Sequence, residues 1–295
     1  MIGVELLDGR AVALAVDEDG RVIARAAVDN PHVGAAANDA LGQLTIPADG
    51  SIGLAAALPD APAIAEAIDV IHRRFATVTP HSLVSAGTAA ALAETWVGAA
   101  RGAHDVAFFG VASHAVAGLV RGGVPVTGSR GRAASIAWLA LNPVEREDYR
   151  RVGCLEAEVA AVGIVRRLVW RIKAGDRSRV QDRVGGDLAA ITVDDVLDAA
   201  RGGDGVSISV IRDTAKYLGM AAANLAVVVD PEVLVLGGVM ATAADLLFEP
   251  VRVEIGRRLP RAIADALTIA PALLGPDAAA IGAARLASAA VPGGA

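Results

Sequence analysis

Several things are scarce in this chain of 295 residues, and each scarcity excludes something. There is one cysteine, Cys154, so no disulfide framework is possible within the chain, and a reducing compartment is expected. Aromatic residues make up only 3%, while hydrophobic residues reach 54%, so the core must be built from Ala, Val, Leu and Ile. No uninterrupted apolar run approaches the roughly 18 residues of a membrane span. Glu5 and Asp8 stand where a secretory leader would carry lysines and an apolar block, and a cytoplasmic location is expected. The formal net charge of −6 leaves no basic footprint for nucleic acid, so no direct nucleic-acid binding and no membrane association are expected.

What is present reads as α/β. The length suits two domains. Ile2 to Leu7, Arg10 to Val16 and Arg21 to Val28 read as a three-strand meander, with Asp8-Gly9 as the first hairpin turn. Helices are expected over Val33–Leu44, Ala63–Phe75 and Thr88–Gly98, with strands at Ser51–Ala57 and around Val78 and Ser82–Ser85. A second meander follows, with Asp105–Ser113 and Ala115–Arg121 as a hairpin and Val124–Thr127 as a third strand. Gly153–Lys173 reads as one long helix and Ala174–Ile191 as loop-rich. Thr192–Arg201 is a helix capped by Thr192, with Asp195 as a partial capping box. Ala278–Ala289 is a last helix, and Val291–Ala295 a frayed tail.

The stretch Tyr217–Met240 is the most informative. Leu218, Ala221, Ala222 and Leu225 recur at helical spacing, and Asp230-Pro231 stops the helix. Val233–Leu236 is a short, wholly apolar strand, as a strand buried on both faces should be. Gly237-Gly238 opens its carboxyl end, where ligands bind in open α/β sheets, and two glycines allow close approach to backbone. The alternative is a plain strand-to-loop turn.

This segment, with its L-G, A-N-L, D-P-E and L-G-G, resembles the nucleotide side of ROK proteins, a family of repressors, open reading frames and sugar kinases. The resemblance extends over nearly the whole chain. It implies a two-domain, actin-like (ribonuclease H-like) α/β fold with duplicated mixed sheets and an interdomain cleft. The expected division is 1–102 plus 276–295 and 103–275, the last helix packing back on the first domain. It also implies association through the second domain; a homo-oligomer is expected, consistent with a mean hydropathy of +0.49. The family's DNA-binding helix-turn-helix would precede the first strand, which is expected at Ile2, so the usual repressor layout is not expected.

The residues that the resemblance would assign to chemistry are mostly replaced. The family's first phosphate loop, Asp-x-Gly-Gly-Thr, falls on Glu5, Leu6, Leu7, Asp8 and Gly9; a leucine obstructs backbone approach and Asp8 repels phosphate. The second, Gly-Thr-Gly-x-Gly-Gly, falls on Ala112 to Ala117, where Ser113 alone keeps a hydroxyl and His114 reads as a hairpin-end surface residue. The catalytic aspartate position is Ala86, Ser85 stands at a sugar-binding asparagine, and Glu94 lies two helical turns away. At the family's sugar-and-zinc segment, Ser135 and Trp138 replace Glu and His, and only Cys154 remains of the cysteines, so no zinc is expected. Trp138 is expected to fill the vacated space. Glu156 survives as a candidate sugar ligand, although a Glu in a first helical turn also suits the helix dipole. The basic run from Arg166 to Arg183 reads as a solvated helix face.

The leading expectation is therefore a sugar-kinase-like pseudo-kinase, a ligand sensor or regulatory interaction module. It would have weak nucleotide binding at Gly237 and Gly238 and a possible small sugar or nucleotide ligand. One alternative is an ATP- and Mg²⁺-dependent hexose kinase with rearranged residues, drawing on Glu5, Asp8 or Glu156. Another is a regulator acting with a separate DNA-binding partner.

Overall fold

The computed structural model describes residues 1–46, 51–75 and 83–289. Val78, Ser82 and the tail from Val291 lie outside them. Along the chain, β1 (Ile2–Leu7), β2 (Arg10–Val16) and β3 (Val22–Asp29) are followed by α1 (Val33–Gly42), β4 (Ile52–Ala56), α2 (Pro62–Arg74), β5 (Leu83–Ser85) and α3 (Ala86–Val97). Next come β6 (Val106–Val111), β7 (Ala115–Arg121) and β8 (Val124–Pro125). The helices α4 (Glu147–Val152), α5 (Cys154–Val159), α6 (Ala161–Lys173), α7 (Arg179–Arg183), α8 (Val193–Arg201) and α9 (Gly205–Val229) then lead to β9 (Val233–Gly238). Finally come α10 (Val239–Thr242), α11 (Ala244–Arg258), α12 (Arg261–Ala266), β10 (Thr268–Pro271) and α13 (Ala278–Ala289).

The first sheet has the order β3-β2-β1-β4-β5, and the second β10-β9-β6-β7-β8. Read from the other edge, the second repeats the first: a meander of three strands, then two more strands beside the meander's first strand. In the first sheet β1 pairs antiparallel with β2 and parallel with β4. In the second, β9 and β10 are parallel. This is the duplicated mixed-sheet architecture of the actin-like fold. Two compact units result: Met1–Phe108 with Val116–Ala134 and Ala272–Ala295, and Phe109–Ala115 with Ser135–Pro271.

In the first unit, Ile2, Val4 and Leu6 pack with α1 and α2 residues such as Leu41 and Ile71. The opposite face of β1 and β4 is kept flat for α13. Gly3 and Gly53 are register partners on these parallel strands. A Cβ on Gly3 would stand 1.9 Å from the Ala280 carbonyl oxygen, and one on Gly53 1.9 Å from that of Ala283. On the other side of α13, a Cβ on Gly282 would stand 1.8 Å from the Ala89 carbonyl oxygen of α3. The last helix is thus held by backbone-to-backbone contact, which only glycine permits.

Several local signals act as the sequence indicates. Thr192 Oγ1 accepts from the Asp195 N–H (3.2 Å) and the Asp195 carboxylate accepts from the Thr192 N–H (2.9 Å), a complete capping box. The bonds that the Asp195 carboxylate accepts from the Thr192 N–H and, at 2.7 Å, from the Thr192 hydroxyl hold that carboxyl below its usual value. Asp230 ends the 25-residue α9 in the left-handed region, φ +50°.

The expected single helix Gly153–Lys173 is instead two, broken at Ala160, whose ψ of 160° is extended. The freed groups are satisfied elsewhere: Arg166 and Arg167 donate to the carbonyl oxygens of Ala157 (2.7 Å) and Glu158 (2.8 Å), and the Ala161 N–H donates to Ala112 O (3.2 Å). The basic run is accordingly no plain solvated face, because these two arginines are partly buried and bonded across the break. The span expected to be loop-rich contains α7.

The α13 contact makes a direct test. Gly282→Ala should destabilise the protein by about 1–3 kcal/mol through overpacking. Gly256→Ala, in the exposed interior of α11 with nothing within 4 Å of the new methyl, should instead stabilise by up to about 1 kcal/mol. Urea unfolding of the two variants checks both signs.

Candidate functional site

In the first unit, Asp8 and Gly9 form an exposed two-residue turn between β1 and β2, with Gly9 at φ +67°. Glu5 lies on β1, on the α13 side of the sheet. Burial pushes its carboxyl up to about 7, and the nearby Asp277 carboxylate adds to the rise. Asp277 is itself engaged by Arg25 at 3.0 Å.

Ser85 is the N-cap of α3: its Oγ accepts from the Thr88 N–H at 3.1 Å and lies 2.7 Å from Thr88 Oγ1. The next residue, Ala86, is only 4% exposed and is packed with Ala55, Ala89, Ala279 and Ala283. The position to which the resemblance assigns the family's acid is therefore an apolar contact beneath α13. Glu94 is fully buried, and its carboxylate accepts from the N–H groups of Ala99 (2.7 Å), Leu273 (3.0 Å) and Leu274 (3.0 Å). It ties the end of α3 to the segment entering α13, which accounts for a buried charge in helix α3.

In the second unit, Ala112 and Ser113 are exposed at the turn between β6 and β7. The Ala112 N–H donates to His114 O at 3.0 Å. Glu156, in the first turn of α5, reaches this turn: it accepts from the Ala115 N–H at 2.9 Å and its Oε1 lies 3.1 Å from His114 Nδ1. His114 is thus no plain surface residue; it joins Glu156, a partner 42 positions away. Gly153, at φ +96° just before α5, lets the chain pass close to Ala137, since a Cβ there would stand 2.2 Å from the Ala137 carbonyl oxygen. Two backbone donors of the turn, Ala112 and Ala115, are used within the protein.

Gly237 and Gly238 close β9, which runs through both to Gly238 rather than stopping at Leu236. A Cβ on Gly238, at φ +61°, would stand 2.0 Å from Val111 O. That close approach at Gly238 is taken by β6.

The residues present do not fit a closed zinc site. Cys154 is buried with Tyr149 and Ala157, and no group of three or more His, Cys, Asp or Glu among the described residues is arranged to ligate a metal. Trp138 fills no vacated space: it is 56% exposed, and Ile136 and Ala137 are buried in its stead, because a short 3₁₀ turn points those two inward.

A duplicated sheet order and this distribution of motif positions define an actin-like protein of the sugar-kinase type. The ROK family model matches residues 79–290, and the chain belongs to the ROK family. It is 33% identical over 199 residues to a glucokinase of Halalkalibacterium halodurans, covering 65% of this chain and 59% of that protein. It is 28% identical over 158 residues to the DNA-binding transcriptional dual regulator NagC of Escherichia coli, covering 53% and 37%. The match spans about three fifths of the length of two glucokinase relatives. Among solved structures, a ROK family glucokinase from Streptomyces griseus, in complex with glucose and AMPPNP, superposes with a TM-score of 0.82 at 24% identity, over 98% of this chain and 99% of that one. A ROK family transcriptional regulator gives 0.79 at 20% identity, over 98% and 78%. No helix among the described residues is long and apolar enough to cross a membrane.

The unusual titration of Glu5 is measurable. Its folded pKa of about 7 lies above the ordinary 4.5, so the folded state holds this proton more tightly. The resulting stabilisation is complete below about pH 4.5 and is lost as pH rises through about 7. Glu5→Gln should therefore melt higher than the parent at pH 8 and nearly with it at pH 4.5. A melting difference that does not change with pH would contradict the assignment.

Proposed function

We propose that this chain is a sugar-kinase-like ROK protein that no longer transfers phosphate and works as a ligand sensor or regulatory interaction module. The observation that carries the reading is Ala86, buried among alanines at the position of the family's general base. A methyl group cannot take a proton, and a general base typically contributes about 10²–10⁴-fold to the rate. Two further features support it. Leu7 and Asp8 stand where the first phosphate loop has glycines. In the second loop the Ala112 and Ala115 N–H groups are engaged by His114 O and Glu156, so they are not aimed at a phosphate. Glu156, the one retained sugar-ligand position, is bonded to His114 and the Ala115 N–H. Any nucleotide binding near Gly237 and Gly238 would be weak on this reading.

One observation favours a second reading, a hexose kinase with rearranged residues. Glu5 titrates near neutrality, where a general base works best. A coupled ADP-release assay over glucose, mannose, N-acetylglucosamine and N-acetylmannosamine separates the two. Background rates are expected for the parent and also for Ala86→Asp, because the new carboxyl would be buried by α13. Turnover above about 1 s⁻¹ in the parent, abolished in Glu5→Gln, would establish the second reading instead.

Self-association belongs to the same proposal. Val227 and Val228 are exposed near the end of α9, Val228 at 83%, and exposed valines of this kind suit an interface. Sedimentation at micromolar concentration should give a dimer or larger; a species of about 29.7 kDa would contradict it.

A further inference from the structure

The break at Ala160 creates a feature that the motif positions do not involve. Within the second unit, a cavity of about 490 Å³ opens between α4, α5, α6 and α9. Its size falls in the usual range of small-molecule sites, about 300–1,000 Å³. Glu158 forms part of its lining, with a side chain only 6% exposed. Its carboxylate accepts from the Tyr149 hydroxyl (2.5 Å), Arg146 (3.1 Å) and Arg167 (2.7 Å). Burial pushes the Tyr149 hydroxyl up to about 12, so it stays a donor.

The aromatic faces here are turned to the protein's own cations. Arg146 stacks on Tyr149 at 4.9 Å and on Trp170 at 5.0 Å, Arg166 also covers Trp170 at 5.0 Å, and Arg167 lies over Tyr217 at 5.6 Å. A flat aromatic ligand would have to displace them. The charge balance points elsewhere. The lining carries Arg146, Arg167, Lys216 and Arg258 against Glu158 and Asp213. Adding their direct ion-pair partners brings in Arg166, Asp148 and Glu254, and cations still exceed carboxylates by one. This excess stands in a chain of net charge −6. A network serving stability alone gains nothing from uncompensated like charge.

We infer that the cavity binds a small organic phosphate, a monoester whose charge of roughly −1.5 to −2 at pH 7 is opposite in sign to the local excess. Lys216 and Arg258 are the most exposed cations of the lining, with side chains 62% and 41% exposed, and they receive the phosphoryl group. The guanidinium of Arg146, bonded to Glu158 at 3.1 Å, adds a charge-assisted donor to the lining. The site does not depend on whether the chain retains phosphotransfer.

The test is calorimetric titration of the full chain with glucose 6-phosphate, glycerol 3-phosphate and inorganic phosphate, with glucose and glycerol as uncharged counterparts. The esters should bind and the alcohols should not, with inorganic phosphate competing. The double variant Lys216→Gln with Arg258→Gln should weaken ester binding about tenfold or more. Asp213→Asn, which removes a negative charge and leaves the floor intact, should tighten it severalfold. The inference is overturned if no phosphate compound binds at millimolar concentration, or if an ester binds no better than its alcohol. It is equally overturned if the double variant binds unchanged, or if Asp213→Asn fails to tighten binding.

Discussion

The close seat of α13 on the first sheet governs much of what the candidate site can be. Gly3 and Gly53, side by side on parallel strands, let helix backbone rest on strand backbone, and Gly282 lets α3 approach from the other side. At that separation only alanine-sized side chains fit between the elements, and the surrounding cluster is indeed Ala55, Ala86, Ala89, Ala279 and Ala283. Dense packing of small residues leaves little room for a solvated carboxylate. Glu94 reinforces the arrangement by accepting from the N–H groups of Leu273 and Leu274 in the chain before α13, and from that of Ala99 just past α3.

Where signals are local, they were legible in the sequence. The meander of β1–β3, the Thr192–Asp195 capping box and the Asp230-Pro231 stop each depend on residues within a few positions. The break at Ala160 was not legible, because nothing at Ala160 itself stops a helix. It exists because Arg166, Arg167 and Ala112 O satisfy the freed backbone groups from elsewhere. The candidate site shows the same contrast. Glu156 could be found from its Gly-Cys-Leu-Glu context, but its pairing with His114 joins residues 42 apart and has no local signal. Gly237-Gly238 was legible as a glycine requirement and not as to cause; Gly238 accommodates Val111 O. Glu158, two residues past Glu156, was missed because its arginine and tyrosine partners converge only once α4, α5 and α6 are separate helices.

The chain belongs to a family that contains both glucokinases and repressors, and the fold is common to both. On the proposed reading, this chain keeps the frame and redirects its polar groups inward. Glu156 answers His114 and the Ala115 N–H, Ser85 answers Thr88, and Glu94 answers three amides. Each is a satisfied internal bond at a place that the family resemblance associates with the site or its flank. Such bonds stabilise the present structure and oppose rearrangement toward a ligand, since each group would have to exchange its partner. The charged cavity beside Glu158 is where an excess of donors remains.

The central claim is that position 86 is a closed apolar contact and not the wall of a reaction site. The most direct measurement is a carbon-detected NMR titration of the carboxyl group in Ala86→Asp. Burial should raise its pKa well above the ordinary value of about 3.9, to about 6 or higher. A pKa near 4, with the fold intact, would mean that the position is open to water and to substrate, and would contradict the account.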